Sequence, residues 1–180
     1  MQEKQKINIV WFKKDLRTKD QISLFKASQE DLPFIALYIF DEDFYQKKQF
    51  DFRKIGKFRA KFLLESVQNL QHNLAELNIT FLIKFGKTKE IFEKLNEHYS
   101  IQKIFCEEEF TQEEVDLEKG VSSVLPHVKF EKSYSQFLLE PEFVFGKLEK
   151  IPALFTTFRN KVEKNFSVRK PLKIEKRKVF

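Results

Sequence analysis

The sequence predicts an α/β protein built on a five-stranded, doubly wound parallel sheet flanked by helices. Two observations lead to this prediction. Short apolar segments alternate with segments whose apolar residues recur every three or four positions, from residue 7 to residue 131. The short segments are apolar throughout, as in strands that helices cover on both faces. In such a Rossmann-like sheet the crossovers are right-handed, and ligands bind beyond the carboxyl ends of the strands, where the strand order reverses.

The first strand and the first helix are predicted near the N-terminus. INIVWF at 7–12 reads as a short, fully buried strand. A helix is expected over 19–29, because Thr18 and Gln21 stand in capping-box register and Asp20 suits the positive end of a helix.

Two further strands and a long helix are predicted in the middle of the chain. Pro33 opens the strand PFIALYIF, which ends at Asp41, and a third strand is expected over Ile79–Phe85. The helix between them is predicted over 54–77, because its apolar residues form one stripe at three- and four-residue steps. The stripe consists of Ile55, Phe58, Phe62, Val67, Leu70, Leu74 and Leu77.

The last part of the sheet is predicted from short, clearly bounded segments. Thr111 and Glu114 stand in capping-box register and open a helix. This capped helix is expected to end near Leu125. The other predicted elements are a helix over Lys87–Tyr99, a strand over Lys103–Cys106 and a strand over Val128–Glu131.

The alternation of predicted strands and helices stops after the fifth predicted strand. We therefore divide the chain into an α/β domain at 6–132 and a C-terminal region at 133–180. Within that region, FLLEP at 137–141 is expected to be extended and Ala153–Asn165 to form a short helix. SVRKPLKIEKRKVF at 167–180 has no apolar face to bury and is interpreted as a linker or tail.

The net charge of +6 is concentrated near the C-terminus. Residues 146–180 contain 11 Lys and Arg against 3 Glu, so this segment carries +8 and the rest of the chain −2. Such a segment is suited to nucleic acid or to an acidic protein surface. A solvated extension explains the same charge and stays open.

Composition excludes several classes of protein. The single cysteine, Cys106, excludes an internal disulfide framework, and it is expected to be a small buried hydrophobe. His72, His98 and His127 have no metal-ligand spacing, so no metal site is expected. No apolar run reaches the roughly 18 residues of a membrane span, and MQEKQK lacks the core of a signal peptide. We expect no membrane contact and a cytoplasmic location.

Two charged loops follow predicted strands, and each contains candidate site residues. Lys13, Asp15 and Arg17 follow the first strand, although an Asp and an Arg two residues apart often pair with each other or with backbone. Glu107, Glu108 and Glu109 follow the fourth strand, where a carboxylate could accept hydrogen bonds from the N–H groups of a heterocycle. The alternative for both loops is a solvated turn.

Several segments, taken in order, resemble the DNA photolyase/cryptochrome family. VWFKKDLRTKDQ resembles its N-terminal Trp-Phe-Arg-x-Asp-Leu-Arg-x-x-Asp-Asn pattern, with Lys13 in place of the Arg and Gln21 in place of the Asn. FRAKFLLESVQNLQHNL resembles the family's long second helix, ITFLIKFGKTKEIF its third strand and turn, and IFCEEEFTQEE its acidic turn. ALFTTFRNKVEKNFSVRKPL is similar to the segment that closes this domain in the DASH cryptochrome branch. The matching residues of the first pattern are Trp11, Phe12, Asp15, Leu16, Arg17 and Asp20.

The resemblance implies the antenna half of such a protein. In the family this α/β domain helps to hold a light-harvesting chromophore, which is a methenyl-folate, a deazaflavin or a flavin. The family's helical half, which binds flavin adenine dinucleotide (FAD) and damaged DNA, would begin where this chain stops. By this resemblance, Asp41 and Phe44 follow the second strand, where relatives line the chromophore pocket. The other candidate chromophore contacts match the loop after the first strand and the turn after the fourth: Lys13, Asp15, Arg17, Glu107, Glu108 and Glu109. Lys13 lacks the planar fork of the Arg it replaces, which weakens any role that needs a guanidinium.

The function implied by the resemblance is photon capture for light-driven DNA repair or for blue-light sensing. A separate flavin-binding half would supply the chemistry of a deoxyribodipyrimidine photolyase, so the isolated chain is not expected to be catalytic. Two other functions remain open. One is a stand-alone module that binds a nucleotide or flavin, and the other is an interaction protein that self-associates or binds a partner or nucleic acid.

Overall fold

Five parallel strands form the central sheet of the computed structural model, which describes residues 3–46, 48–49, 52–139, 141–147 and 151–174. This confirms the predicted fold class. Two short strands, β3 and β4, form a separate antiparallel hairpin. The strands are β1 (Gln5–Phe12), β2 (Phe34–Asp41), β3 (Lys48–Gln49), β4 (Phe52–Arg53), β5 (Phe81–Gly86), β6 (Tyr99–Glu107) and β7 (Lys129–Ser133).

Helices cover both faces of the sheet within the described ranges. α2, α6 and the small hairpin were not predicted from the sequence. The helices are α1 (Ile22–Ser28), α2 (Glu42–Gln46), α3 (Lys57–Glu76), α4 (Thr88–His98), α5 (Gln112–Val124), α6 (Pro141–Lys147) and α7 (Phe155–Asn165).

The strand order places the sheet's reversal point beside its first strand. The order is β5-β2-β1-β6-β7, so the chain first builds outward from β1 to β5 and then returns to the other side of β1. All neighbouring strands pair in parallel. Their carboxyl ends therefore meet at one edge, where ligands bind in sheets of this kind.

The core has two layers, one on each face of the sheet. Successive side chains of a strand point to opposite faces. Ile9 and Trp11 of β1 lie in the layer under α4 and α5, whereas Val10 and Phe12 lie in the layer under α1 and α3. The Trp11 ring packs edge-on against Phe92 at 5.1 Å between ring centroids. This alternation explains why β1 is apolar throughout its second half.

The capping box predicted at the start of the first helix is wrong. The helix α1 begins at Ile22, and Gln21 is its N-cap residue, whose side chain accepts a hydrogen bond from the N–H of Leu24 at 2.5 Å. Asp20 precedes the helix and has φ of +52°. Lys19 and Asp20, which the sequence pattern assigned to the helix, therefore belong to the tight loop after β1.

The second predicted cap is in the right place but has different bonding. Thr111 is the N-cap residue of α5. Its hydroxyl donates to Glu114 Oε2 at 2.7 Å, so the two side chains bond to each other. The buried Glu114 carboxylate also pairs with Lys14.

The apolar stripe predicted for the long helix is only half buried. Val67, Leu70 and Leu74 of α3 are buried in the core, as predicted. Phe58 and Phe62 are 79% and 71% exposed, because the first turns of α3 extend past the edge of the core. The helix begins at Lys57 rather than at residue 54.

The region after β7 contains more helix than predicted. The extended segment expected at 137–141 ends at Pro141, which begins α6, and its residue 140 lies outside the described residues. The predicted helix over Ala153–Asn165 is present as α7, which begins at Phe155. The boundary between 6–132 and 133–180 stays a prediction.

The segment 167–174 is not a free tail, and this corrects the interpretation from sequence. Arg169 pairs with the Asp20 carboxylate at 2.5 Å, and the Leu172 N–H donates to the same carboxylate at 2.9 Å. Ile174 packs against the α1 and α3 layer of the core. The segment therefore lies against the loop that follows β1. The last predicted part of the tail, 175–180, lies outside the described residues.

Candidate functional site

A cavity of about 490 Å³ lies at the carboxyl ends of β1 and β2. Trp11 and Phe12 at the end of β1 and Tyr38 on β2 contribute to its walls. The helix α2 adds Phe44 and Tyr45, and the first half of α3 adds Arg59, Phe62, Leu63 and Ser66. The cavity forms where the first turns of α3, which lie outside the core, meet α2 and the ends of β1 and β2.

Lys13 lies at the reversal point but is fully engaged by the protein. Its ammonium pairs with Glu118 at 2.5 Å, donates to the backbone carbonyl of Glu107 at 2.9 Å and lies 5.0 Å from the centre of the Trp11 ring. Because both charges are largely buried and matched, Lys13 ties β1 to β6 and α5. The crevice between these strands is thus closed by the protein's own ion pair.

Asp15 shapes the loop after β1. One carboxylate oxygen accepts from the backbone N–H of Lys13 at 2.9 Å, and the other accepts from the side-chain amide of Gln21. The same Gln21 side chain caps α1. Asp15 is 5% exposed, so this chain of hydrogen bonds fixes the loop from inside.

Arg17 and Glu107 meet through Ser135, which follows β7. Arg17 donates to the Ser135 hydroxyl at 2.8 Å and to its carbonyl at 3.1 Å. The Ser135 N–H donates to Glu107 Oε2 at 2.7 Å, and its hydroxyl donates to the other oxygen of that carboxylate. Burial raises the pKa of Glu107, and the hydrogen bonds from Ser135 oppose that rise. Arg17 and Glu107, which were both predicted as site residues, are therefore linked through Ser135.

Asp41 and Phe44 have different surroundings, although they are close in sequence. Asp41 accepts from the Thr88 hydroxyl at 2.6 Å and from the Thr88 N–H at 3.0 Å, so it holds the start of α4. Phe44 lines the cavity, and the Lys54 ammonium lies 5.5 Å from the centre of its ring. Phe44 therefore remains available to a ligand, whereas both carboxylate oxygens of Asp41 are occupied, one by Thr88 and the other by the backbone N–H of Asp43 at 2.9 Å.

The acidic turn after β6 contains one carboxylate with an unpaired oxygen. Glu108 pairs with Lys132 at 3.2 Å. Glu109 is 5% exposed, and its Oε1 has no hydrogen-bond partner within the described part of the chain. Its other oxygen lies 3.8 Å from the Lys14 ammonium. Since a buried carboxylate oxygen without a donor is costly, Glu109 is suited to receive an N–H group from a ligand.

A family model described as DNA photolyase matches residues 8–176. The chain belongs to the DNA photolyase family. The predicted resemblance to this family and to its DASH branch is thereby confirmed, because curated relatives named Cryptochrome DASH also match.

Two of these relatives are cyanobacterial. This photolyase-family chain is 34% identical over 166 residues to Cryptochrome DASH of Gloeobacter violaceus, covering 91% of this chain and 33% of the relative. It is 32% identical over 158 residues to Cryptochrome DASH of Synechocystis, covering 87% of this chain and 32% of that relative. The chain spans about a third of the length of the curated relatives it matches.

Solved structures show the same fold. The Synechocystis cryptochrome superposes with a TM-score of 0.88 at 28% identity, covering 98% of this chain and 37% of that one. An archaeal photolyase from Sulfolobus tokodaii, solved with two FAD molecules, superposes with a TM-score of 0.76 at 21% identity. That match covers 94% of this chain and 37% of the archaeal one, and at this identity it shows the fold alone.

The residues that line the cavity of this photolyase-family chain and that sequence reasoning missed include Tyr38, Tyr45, Arg59 and Phe62. Burial raises the pKa of both tyrosines, so both phenols are protonated at neutral pH. Neither hydroxyl has a hydrogen-bond partner among the described residues. Tyr38 lies in a predicted strand, but nothing in the sequence shows that α3 brings Arg59 and Phe62 to the strand ends.

Other groups considered from sequence show no reactive arrangement in the described part of the photolyase-family chain. No cluster of three or more metal-ligating side chains occurs there, His72, His98 and His127 included. Cys106 is buried as predicted, and burial raises the pKa of its thiol to about 12. The thiol is therefore protonated and unreactive at neutral pH. In the same ranges, every helix is too short or too polar to cross a bilayer.

Proposed function

We propose that this chain is the light-harvesting antenna domain of a photolyase or cryptochrome, with its chromophore in the cavity at the ends of β1 and β2. The cavity carries the proposal. Its volume of about 490 Å³ falls within the roughly 300–1,000 Å³ of small-molecule sites. A flat conjugated ring system fits this size class, and light absorption is the chemistry that such a ring supplies when bound.

Aromatic walls support a flat ligand. Phe44 and Tyr45 of α2 line the cavity together with Tyr38 of β2. The rings are held in place by their neighbours, since Tyr38 packs edge-on against Phe40 at 4.8 Å and Phe40 lies 6.1 Å from Tyr45. Fixed aromatic faces and edges bind conjugated rings by stacking and edge contacts. The two unpaired phenol hydroxyls add polar contacts for ring heteroatoms.

One fold neighbour supports a flavin ring. The photolyase of Sulfolobus tokodaii is described as holding two FAD molecules, with the implication of a novel light-harvesting cofactor. Flavin and deazaflavin share a tricyclic shape, so the cavity serves either one in this proposal.

A methenyl-folate is the second candidate chromophore, and Glu109 favours it. A pterin ring presents N–H donors, and the unpaired Glu109 Oε1 is a buried acceptor for such a donor. Phe110 and Tyr134 stack beside this turn at 6.0 Å between ring centroids. The two candidates place the chromophore against different residues, so variants separate them.

In this proposal a partner completes the light reaction. A separate flavin-binding half receives the excitation and carries out repair of pyrimidine dimers or blue-light sensing. Exposed aromatic side chains such as Phe58 and Phe110 support a docking role, either for such a half or for self-association. The basic residues of 151–174 are the candidate contact with nucleic acid.

An absorption spectrum of the purified chain in the near ultraviolet and blue tests the proposal, with mass spectrometry of any molecule released on denaturation. A bound chromophore supports an antenna. Loss of colour in Phe44→Ala but not in Glu109→Gln would locate it in the cavity, and the reverse pattern would locate it at Glu109. A bound adenine nucleotide without colour would favour a nucleotide-binding module, and a chain without ligand would favour the interaction role.

A further inference from the structure

The C-terminal segment (167–174) is held against the loop after β1 by backbone and side-chain bonds. Asp20 donates its N–H to the Leu172 carbonyl at 3.3 Å, and the Leu172 N–H donates to the Asp20 carboxylate at 2.9 Å. Arg169 pairs with the same carboxylate oxygen at 2.5 Å. Two residues after Leu172, Ile174 packs against the core layer under α1 and α3. The segment is therefore docked at several points rather than at one.

Asp20 has a backbone conformation that needs support from its neighbours. Its φ of +52° lies in the left-handed region, which residues other than glycine seldom adopt. Its side chain is 41% exposed, so burial alone does not fix it. The bonds from Leu172 and Arg169 supply the support. Docking of the C-terminal segment therefore helps to set the shape of the loop after β1.

A first chain of hydrogen bonds leads from Asp20 to the ends of β6 and β7. Arg17 donates from Nη2 to the Asp20 carbonyl at 3.2 Å and, from the same nitrogen, to the Ser135 hydroxyl at 2.8 Å. Ser135 then donates its N–H to the fully buried Glu107 carboxylate at 2.7 Å. Arg17 also lines the cavity. This chain connects the C-terminal segment to the cavity wall on one side.

A second chain of hydrogen bonds runs through Gln21, the residue after Asp20. The Gln21 side-chain amide donates to one oxygen of Asp15, and the other oxygen accepts from the Lys13 N–H at 2.9 Å. Gln21 is fully buried, so water does not compete for this bond. Lys13 and Asp15 line the cavity. A change in the conformation of Asp20 therefore reaches the cavity wall by a second route.

We propose that the C-terminal segment is an intramolecular latch for the cavity wall, and that Arg169 is its positioning residue. While the segment is docked, Asp20 keeps its left-handed conformation and both chains of hydrogen bonds stay intact. When the segment is displaced, Asp20 loses its supporting bonds and the loop at 13–17 loosens. Because coupling between two sites is reciprocal, any molecule that binds the docked form of this loop also stabilises the docked segment. The latch acts on the cavity whichever molecule occupies it.

Amide hydrogen exchange of the full chain, followed residue by residue by NMR, tests the proposal. Arg169→Gln is expected to lower the protection factor of the Leu172 amide by about two- to fivefold, the effect of losing a partly exposed ion pair. The protection factors of the Ser135 and Lys13 amides are expected to fall with it, because the three amides belong to one hydrogen-bonded unit. The amide of Ala36, buried in β2, is expected to keep its protection.

Two single variants serve as controls. Lys170→Gln removes the same charge from an exposed neighbour in the same segment and is expected to change none of these amides. The same losses in Lys170→Gln would overturn the proposal, since they would come from net charge alone. Arg169→Lys is expected to restore part of the protection, because an ammonium still pairs with the Asp20 carboxylate but without the planar fork.

A double variant tests the route through Arg17. Arg17→Gln breaks the first chain, so the further change Arg169→Gln is then expected to lower protection at Leu172 but no longer at Ser135. Unchanged protection at Ser135 and Lys13 in the single variant Arg169→Gln would overturn the latch, whether or not Leu172 changes. An equal loss at Ala36 would overturn it as well, because the effect would then be global. None of these outcomes depends on the antenna proposal, which is tested by the bound chromophore.

Discussion

Ser135 holds together the charged loops at the carboxyl end of the sheet. Its N–H and hydroxyl donate to the fully buried Glu107, and its hydroxyl and carbonyl accept from Arg17. Because burial raises the pKa of Glu107, these donors favour the ionised form against the cost of burial. A single small side chain therefore determines how two of the predicted site residues are bonded.

Ser135→Ala is expected to destabilise the chain by about 1–2 kcal/mol, because it leaves one oxygen of the buried Glu107 without its hydroxyl donor. Urea denaturation measures the change. Ser122→Ala is the control, since Ser122 is exposed on α5 and is expected to change stability by less than about 0.5 kcal/mol. Equal effects of the two substitutions would show that the Ser135 hydrogen bonds contribute nothing.

Asp20 links the loop after β1 to the C-terminal segment in a pH-dependent way. The hydrogen bonds from Arg169 and Leu172 lower the pKa of Asp20 below its ordinary value of 3.8. A carboxylate with a lowered pKa contributes stability above that ordinary value, and the contribution is lost as the pH falls through the lowered pKa. We therefore expect the protection of the Leu172 amide against hydrogen exchange to fall below about pH 4.

The variant Asp20→Asn tests this link. Asn tolerates the positive φ of this position and keeps an acceptor for Leu172, but it cannot pair with Arg169. Its Leu172 protection factor is expected to be lower at neutral pH and to lose its dependence on acid. Glu131→Gln is the control, because the pKa of Glu131 is also lowered but its partners are Lys129 and Lys26. A Leu172 protection factor that falls with acid in Asp20→Asn as in wild type would contradict the assignment.

At the scale of elements, α3 has two separate roles along its length. Its second half packs in the core through Val67, Leu70 and Leu74, and its first half presents Arg59 and Phe62 to the cavity. The regular spacing of its apolar residues predicted one continuous buried face. The first turns of the helix lie outside the core, and there Arg59 and Phe62 line the cavity.

Two alanine substitutions separate these roles. Leu70→Ala is expected to destabilise the chain by about 2–5 kcal/mol, since Leu70 is fully buried and a cavity would remain. Phe62→Ala is expected to change stability by less than about 1 kcal/mol, because the ring is 71% exposed, but to weaken flavin binding. Urea denaturation and flavin titration measure the two effects. A large loss of stability in Phe62→Ala would place its ring in the core.

At the scale of the whole molecule, the chain is built on one five-stranded sheet, and its cavity lies at the carboxyl ends of β1 and β2. Lys13 and Glu118 pair beside the reversal point, and the cavity is lined by the ends of β1 and β2, by the loop after β1 and by residues of α2, α3, α4 and α5. The segment around Arg169 then packs back on the loop after β1. The loop after β1 therefore lines the cavity and also contacts the C-terminal segment.

The purified chain is expected to show no light-dependent repair of pyrimidine dimers when only FAD is added. In the proposed function the chain captures light, and a flavin-binding half carries out the repair. An assay of dimer loss under blue light, with a repair-competent photolyase as the positive control, measures this. Repair above the dark background would show that the chain itself contains a catalytic flavin site.

The sequence by itself determined the order of the five sheet strands and of the helices α1, α3, α4, α5 and α7, the burial of β1, and the family. These depend on local periodicity and on ordered motifs such as VWFKKDLRTKDQ, which are present in the chain before it folds. The structure alone decided that Asp41 binds Thr88, that Glu107 binds Ser135 and that Asp20 binds Arg169. Each of these pairs is far apart in sequence, and no local pattern encodes which strand end or loop a side chain will meet. The cavity has the same origin, because its walls come from β1, β2, α2, α3, α4 and α5, which meet only when the sheet is assembled.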